Sequence, residues 1–517
     1  MTAVDRRYGV NKYGDGKLYG ASEGFDSLLF WGVEVDWDGD GLFDGSNEAP
    51  YMTKITVDRG RENYIRPEGD GWERISTGKV RITLLNWDGR YDGWNADSPL
   101  FPNVTRGKDV RIRVRDIASG IIYPVFFGLL DDVKPTNYQS KPAVVLEIVD
   151  GWSFLRNNVG RVAMQQNISP DEAVALILDA AKWPSRWGRS LDVTFDNIKY
   201  FWSTAGNKAG FELEGVANSF MGLFFVDAQG RARYVDRSNT SSSVEDYPQE
   251  YLLKDIGNPQ PSEIYRNVSR FKVHPRTESA TTALYQLIGT APLVQNGAAN
   301  ALKFFANYTY NNVSVPALSV VTPVATTDYL FNTSSDGSGT DKTADCTLII
   351  YNFGDSAQVV ATNLSGVSVY LTKCNIRGVA VYEVNASDVT YPADATTVAQ
   401  PKEFTVDLPW QQDINTAVDI VQTVGAFLDA LHPLPIIQIE ERPSLQFTPD
   451  LFSIVTAQIP KLGIDSSSFR VGHIHHESLV DTCQALRTRI VLEPYIAAGD
   501  YWTFPILDYG TDTVFGY

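Results

Sequence analysis

At 517 residues the chain is too long for a single core, and three to five domains is the expectation. Its formal charge of −18 argues against a surface that grips nucleic acid by the phosphates, although an acidic wall lets DNA slide past without sticking. Aromatic residues at 12%, together with 40 Gly and 26 Pro, favour a β-rich architecture with many turns.

Cys346, Cys374 and Cys483 are far apart and odd in number, so neither a metal-type spacing nor a disulfide framework is expected. No basic region followed by an apolar core opens the chain, and the apolar runs fall short of a membrane span. The expectation is a soluble protein made without a secretion signal.

Residues 1–25 carry Gly, Tyr and charge without periodicity and read as an N-terminal arm ordering against a neighbour. Residues 26–156 form a first β unit. Val35-Asp36-Trp37-Asp38-Gly39-Asp40-Gly41-Leu42-Phe43-Asp44 is an apolar strand end running into an acidic loop. Ile55–Val57, Val80–Leu85, Val110–Arg115, Val125–Val133 and Val144–Val149 alternate or run apolar between Gly, Asp and Asn turns, as strands of a small barrel do. Residues 157–255 read as a mixed α/β domain. Ser169-Pro170-Asp171-Glu172 is a capping box, with Ala173, Val174, Ile177 and Leu178 turned to a core. A second helix is expected near Glu212, then a hairpin from Leu223–Val226 to Ala232–Val235.

Residues 256–435 form a β-rich domain. It holds a Thr/Ser/Val-rich inserted β-sandwich at 317–382 and a helix at 412–431 with Ile414, Ala417, Val418, Val421, Val424, Leu428 and Leu431 on one face. Residues 436–500 return to strands as a second barrel-like unit, and 501–517 form an aromatic tail. The fold class expected is therefore mainly β with α+β parts: two small β-barrel-like domains, a mixed α/β domain and an inserted sandwich.

The acidic loop is the sharpest chemical signal. With Asp36 as position one, Asp38, Asp40 and Asp44 fall at three, five and nine, Gly41 at six, and Leu42 at seven offers its carbonyl. That pattern resembles an EF-hand oxygen cage and points to a structural Ca²⁺. It departs at the end, where position twelve is Asn47 and the Glu comes one later as Glu48, and a strand precedes the loop. The alternative is a solvated acidic turn. His473 and His475 share one face of a strand, with Glu477 adjoining, but no nearby Cys or Asp completes a zinc set, so an interface strand is the simpler reading. Phosphate-cradling loops, nucleophile elbows and zinc-protease helices are missing, so no catalytic set is expected.

The order of these segments carries a resemblance. The acidic loop is followed by Arg59-Gly60-Arg61, Leu84-Leu85-Asn86-Trp87-Asp88-Gly89-Arg90-Tyr91-Asp92, Ser98-Pro99-Leu100, Val110–Val114 and Phe127-Gly128-Leu129-Leu130-Asp131. Downstream come Glu263–Asn267, Tyr370-Leu371-Thr372 with Ile376-Arg377-Gly378, and Phe469–His475 ending in Leu492-Glu493-Pro494. In pattern and order this resembles the tail hub (baseplate hub, or minor tail) proteins of long-tailed bacteriophages. The resemblance implies a non-enzymatic homotrimer at the virion tail tip, made in the host cytoplasm. Residues 26–156 and 436–500 would be its ring-forming barrels. Its partners would be the distal tail or tail-tube protein, tip or fibre proteins and the tape-measure protein, with DNA only as lumen passenger. The competing readings are a host-glycan adhesin using the 317–382 sandwich and a tail-associated wall hydrolase.

Overall fold

The computed structural model describes residues 29–45, 47–66, 71–136, 142–203, 206–239, 242–252, 264–478 and 486–495, and the backbone alone of 11–12 and 18–19. Most of the expected arm 1–25, the tail 501–517, Glu263 and Cys483 lie outside the described residues. The chain is a multidomain, mainly β protein: among the described residues strands hold 45% against 16% in helices, and the buried apolar side chains gather into four separate cores.

The largest sheet has eleven strands. They are β1 (Leu29–Val35), β2 (Met52–Gly60), β3 (Ser76–Leu85), β4 (Asp109–Asp116), β5 (Ile122–Thr136) and β6 (Ala143–Val149), followed by β7 (Asp246–Pro248), β8 (Ile436–Glu440), β9 (Ile454–Ile459), β10 (Ile464–Ser478) and β11 (Leu486–Pro494). Their hydrogen-bonded order is β7-β9-β10-β2-β3-β6-β5-β4-β1, with β11 beside β10 and β8 beside β11. Period-two alternation sends Val80, Ile82 and Leu84 of β3, Val110, Ile112 and Val114 of β4, and Val144, Leu146 and Ile148 of β6 into one core with Trp31 and Val33 of β1.

Strand β10 joins the two ends of the chain. Its first half pairs with β9, its second half with β2, and β11 runs along most of its length. The register shifts between Val471 and His473, where the Gly472 carbonyl accepts a hydrogen bond from the Arg61 amide at 3.0 Å. Gly60 sits at φ +102°, and a Cβ there would lie 2.2 Å from the Gly472 oxygen, so only glycine fits this crossing.

Helices α1 (Gly151–Asn157), α2 (Pro170–Ala180) and α3 (Ala209–Ser219) pack in one core with β8–β11. Trp152, Ile177, Leu213 and Phe225 thereby meet Ile437, Val455, Phe469 and Ile490 in a single cluster. The capping box forms as read: the Ser169 hydroxyl accepts from the Glu172 amide, the Glu172 carboxylate accepts from the Ser169 amide, and Ala173, Val174, Ile177 and Leu178 are buried. The hairpin Leu223–Val226 to Ala232–Val235 also forms, and Arg189–Leu191 adds to it in parallel.

A third core lies between two sheets. In one, the 15-residue strand Val369–Glu383 pairs in turn with Arg276–Glu278, Thr282–Gln286, Leu293–Val294, Ala317–Val320 and Tyr329–Asn332. The other contains Leu302–Asn307, Cys346–Asn352 and Ser356–Asn363. Cys346 and Cys374 are buried there as free thiols.

The fourth core is closed by helix α4 (Ile414–Leu428) lying on Val268–Val273, Ser387–Tyr391 and Glu403–Leu408. Its buried stripe is Ala417, Ile420, Val421, Val424, Gly425 and Leu428. Ile414, Val418 and Leu431 are exposed instead, because the helix turns them off the stripe or ends before them. Gly425 is needed for packing, since a Cβ there would stand 2.4 Å from the Tyr391 ring.

Candidate functional site

The predicted loop leaves β1 at Asp36, which is buried, and bends twice through Gly39 at φ +80° and Gly41 at φ +87°. The Asp36 carboxylate accepts from the amides of Gly39 at 2.8 Å, Asp40 at 3.1 Å and Gly41 at 2.9 Å. The Asp40 carboxylate accepts from the Leu42 amide at 2.7 Å. Burial works against the Asp36 charge, but the amides of Gly41, Gly39 and Asp40 prevail and hold its carboxyl below the ordinary range.

Asp36, Asp38 and Asp40 each bring one oxygen to within 4.8 Å of the others, and Leu42 and Asp44 line one cavity with Asp36 and Asp38. The closing ligand of an oxygen cage is absent from this grouping. Asn47 Oδ1 accepts from the amides of Val33 at 2.8 Å and Ala49 at 3.0 Å. Glu48 is fully buried away from the loop, accepting from Trp37 Nε1 at 3.0 Å, Arg90 at 3.1 and 3.3 Å and the Tyr91 hydroxyl at 2.6 Å. Burial, then the Glu48 charge, push the Tyr91 hydroxyl far above its ordinary pKa. The residues present therefore fit a cation only in part: the Asp36, Asp38 and Asp40 carboxylates group together and Leu42 and Asp44 only line the adjoining cavity, beside the Lys108 ammonium near Gly39 and the Arg186 stem near Gly41.

The histidine pair is completed by a residue far off in sequence. His473 and His475 do share a face, and between them lies Asp58 of β2, with its oxygens 2.9 Å from His473 Nε2 and 3.2 Å from His475 Nδ1. The hydrogen bonds to His473 and then His475 hold the Asp58 carboxyl well below its usual range, and Asp58 in turn raises His475. His476 points to the other side, bonded to Thr488 Oγ1 at 2.8 Å, and burial depresses it to about 3. Asp58, Glu62, His473, His475, Arg487 and Arg489 line an open cavity of about 360 Å³.

This seam carries further buried charge. Arg61 donates to Glu493 in a fork, at 2.6 Å from Nε and 2.7 Å from an Nη, and both side chains are buried. Arg59 donates to Asp450 at 2.7 Å and to the Val226 carbonyl at 3.1 Å. The ion pairs thus link β2 and the residues just after it to β11 and to the loop before β9. Sequence reading missed Asp58, Glu493 and Asp450 as partners; the one local signal was the cluster of charges Asp58-Arg59-Gly60-Arg61 at the end of a strand.

No family model and no curated protein sequence matches the chain. Among solved structures it is similar to a tail protein from Neisseria meningitidis MC58, with 9% identity and a TM-score of 0.47 over 92% of this chain and 99% of that one. A 43 kDa tail protein of prophage MuSo2 from Shewanella oneidensis is similar with 9% identity and a TM-score of 0.46, over 92% of this chain and 98% of that one. The prophage tail protein gp18 from Listeria monocytogenes EGD-e is similar with 7% identity and a TM-score of 0.40, over 90% and 94%. Among the described residues no helix is long and apolar enough to cross a membrane.

Proposed function

We propose that the chain is a structural, non-enzymatic virion protein: a homotrimeric tail hub at the tail tip. It would link the tail tube or distal tail protein to tip or fibre proteins and line part of the DNA channel. The observation that carries this reading is the eleven-stranded sheet. Strands from residues 29–149 and 436–494 meet along β10 and are locked by buried ion pairs, so each chain presents two β units held in fixed relation. Three such chains around one axis would offer six β units to a sixfold tail, and many modest interfaces would add to a stable ring. The acidic balance suits a lumen to which DNA should not adhere.

A structural Ca²⁺ at Asp36, Asp38, Asp40, the Leu42 carbonyl and Asp44 is the finer part of the proposal. Without a closing bidentate carboxylate it would be held weakly.

The test is the mass of the purified protein in solution, by light scattering or native mass spectrometry. A trimer, or a monomer that becomes one on adding a tail-tube partner, supports the hub. A monomer that ignores tail proteins overturns it.

A further inference from the structure

The root of the inserted sandwich holds a cleft of about 320 Å³ whose walls come from four places in the chain, Arg276 being one of them. Thr309-Tyr310 and Val313-Ser314 form a hairpin, and its two turn residues Asn311 and Asn312 take φ +50° and +64°, the left-handed conformation that Asn tolerates in a tight hairpin turn. Tyr382 and Glu383 end the long strand Val369–Glu383, and Trp202 follows the strand Ile198–Phe201 of the α/β domain.

The cleft has the two kinds of surface that a sugar ring presents. Tyr310 and Tyr382 stand with ring centroids 5.0 Å apart at 37°, and Trp202 adds a third aromatic wall. Polar residues line the cleft with them: Asn311, Ser314, Glu383 and Arg276. Arg276 is held rigidly, with its guanidinium 4.6 Å from the Trp202 ring centre, 5.0 Å from that of Trp410, and one Nη donating to the Pro409 carbonyl at 2.7 Å. Among the described residues its other Nη is buried with no hydrogen-bond partner. Glu383 bonds His274 Nδ1 through Oε2 at 2.7 Å, which fixes the carboxylate at the cleft edge.

We propose that this cleft binds a neutral saccharide, a mono- or disaccharide unit of a larger glycan. The volume lies at the lower end of small-molecule sites, about 300–1,000 Å³. Aromatic faces suit the C–H face of a pyranose, and a paired acceptor and donor, Glu383 and Arg276, suit adjacent hydroxyls. Glu383 in the wall and the net charge of −18 disfavour a phosphate or a polyanion. The site goes beyond the hub reading: it is built within one chain, so the mass experiment and the binding experiment fail independently. It also lies at the base of the sandwich rather than on an outer face.

The test uses the full chain on a printed glycan array, followed by isothermal titration with the soluble form of the best-retained glycan. Tyr310→Ala and Tyr382→Ala are each expected to weaken binding by about tenfold or more, as loss of an aromatic wall should. Trp87→Ala, at an exposed indole outside the cleft, should leave binding unchanged. Should an alanine variant fail to fold, Ser314→Trp serves instead, since Ser314 is an exposed hairpin residue whose enlargement blocks the cleft. Retention of no glycan on the array, or binding that all cleft variants leave intact, overturns the proposal.

Discussion

Glu493→Gln should destabilise the protein by stranding the Arg61 charge. In the native seam Arg61 is 6% exposed and Glu493 is 2% exposed at the side chain, and two short charge-assisted hydrogen bonds join them. A third Arg61 bond, to the Glu73 carbonyl at 3.3 Å, cannot neutralise the guanidinium. Burial works against the Arg61 charge and Glu493 more than offsets it, so the arginine pKa is raised. Gly472 is packed so closely that a Cβ there would lie 2.5 Å from Glu493 Oε1, and the amide that replaces that oxygen in the variant cannot accept from Arg61. Removing one partner of such a pair costs about 3–5 kcal/mol, whereas replacing both with apolar groups of similar volume is close to neutral. Urea unfolding followed by tryptophan fluorescence, with calorimetry alongside, should therefore show the single variant losing about 3–5 kcal/mol in the transition that includes the seam. Arg61→Met with Glu493→Leu should return to within about 1 kcal/mol of the parent. A single variant as stable as the parent would refute the reasoning. A double variant as unstable as the single would mean that packing, not stranded charge, sets the cost.

The Asp58 clamp has a defined pH window. Asp58 is lowered from its ordinary 3.8, so its contribution is present above that value and is lost as pH falls through the depressed one. His475 is raised from its ordinary 6.5, so its contribution is present below 6.5 and is lost as pH rises through the raised value. The stability difference between parent and Asp58→Asn should accordingly be largest between pH 3.8 and 6.5 and shrink on both sides; the buried neutral His476 is common to both proteins and cancels. A difference that is flat with pH would show that the clamp is not ionic. Gly60→Ala should cost more than about 2 kcal/mol, through strain at φ +102° and collision with the Gly472 carbonyl. Gly107→Ala, at φ +82° with nothing within 4 Å, should cost about 1 kcal/mol, and equal melting temperatures for the two would contradict the crossing described above. Calcium should raise the melting temperature only at roughly 10⁻⁴–10⁻³ M, the range of weakly liganded sites, and Asp38→Ala with Asp40→Ala should remove that gain. Identical behaviour of the two proteins would make the loop an ordinary Asx turn.

Local structure was legible wherever a short window carries the cause. Alternation placed the strands of residues 80–85, 110–115 and 144–149, and Ser169 with Glu172 announced a helix start that forms as written. The face of α4 was read in part, since Ala417, Val421, Val424 and Leu428 are buried while Ile420 and Gly425 went unnamed. Gly425 is there for the Tyr391 ring, and a glycine chosen by a neighbour leaves no periodic trace. Long-range partners were not legible. Asp58 meets a histidine 415 residues later, and Arg61 meets Glu493 at a separation of 432. Nothing within a strand records which other strand it will lie beside. The acidic loop shows the same limit from the other side: its spacing was plain, but the destination of Glu48 depended on Trp37, Arg90 and Tyr91 closing over it.

The pairing of β2 with β10 also sets a schedule. At about 5–20 residues per second of synthesis, the histidines that close on Asp58 emerge roughly 20–80 s after it does. Throughout that interval the outer edge of β2 is a row of unpaired amides and carbonyls, the kind of edge along which nascent chains stick to one another. Asp58 and Arg59 lie on the stretch of β2 that later pairs with β10, and charges there discourage a stray strand from docking. The residues that bolt the seam in the finished protein thus also guard it while the bolt is still being made.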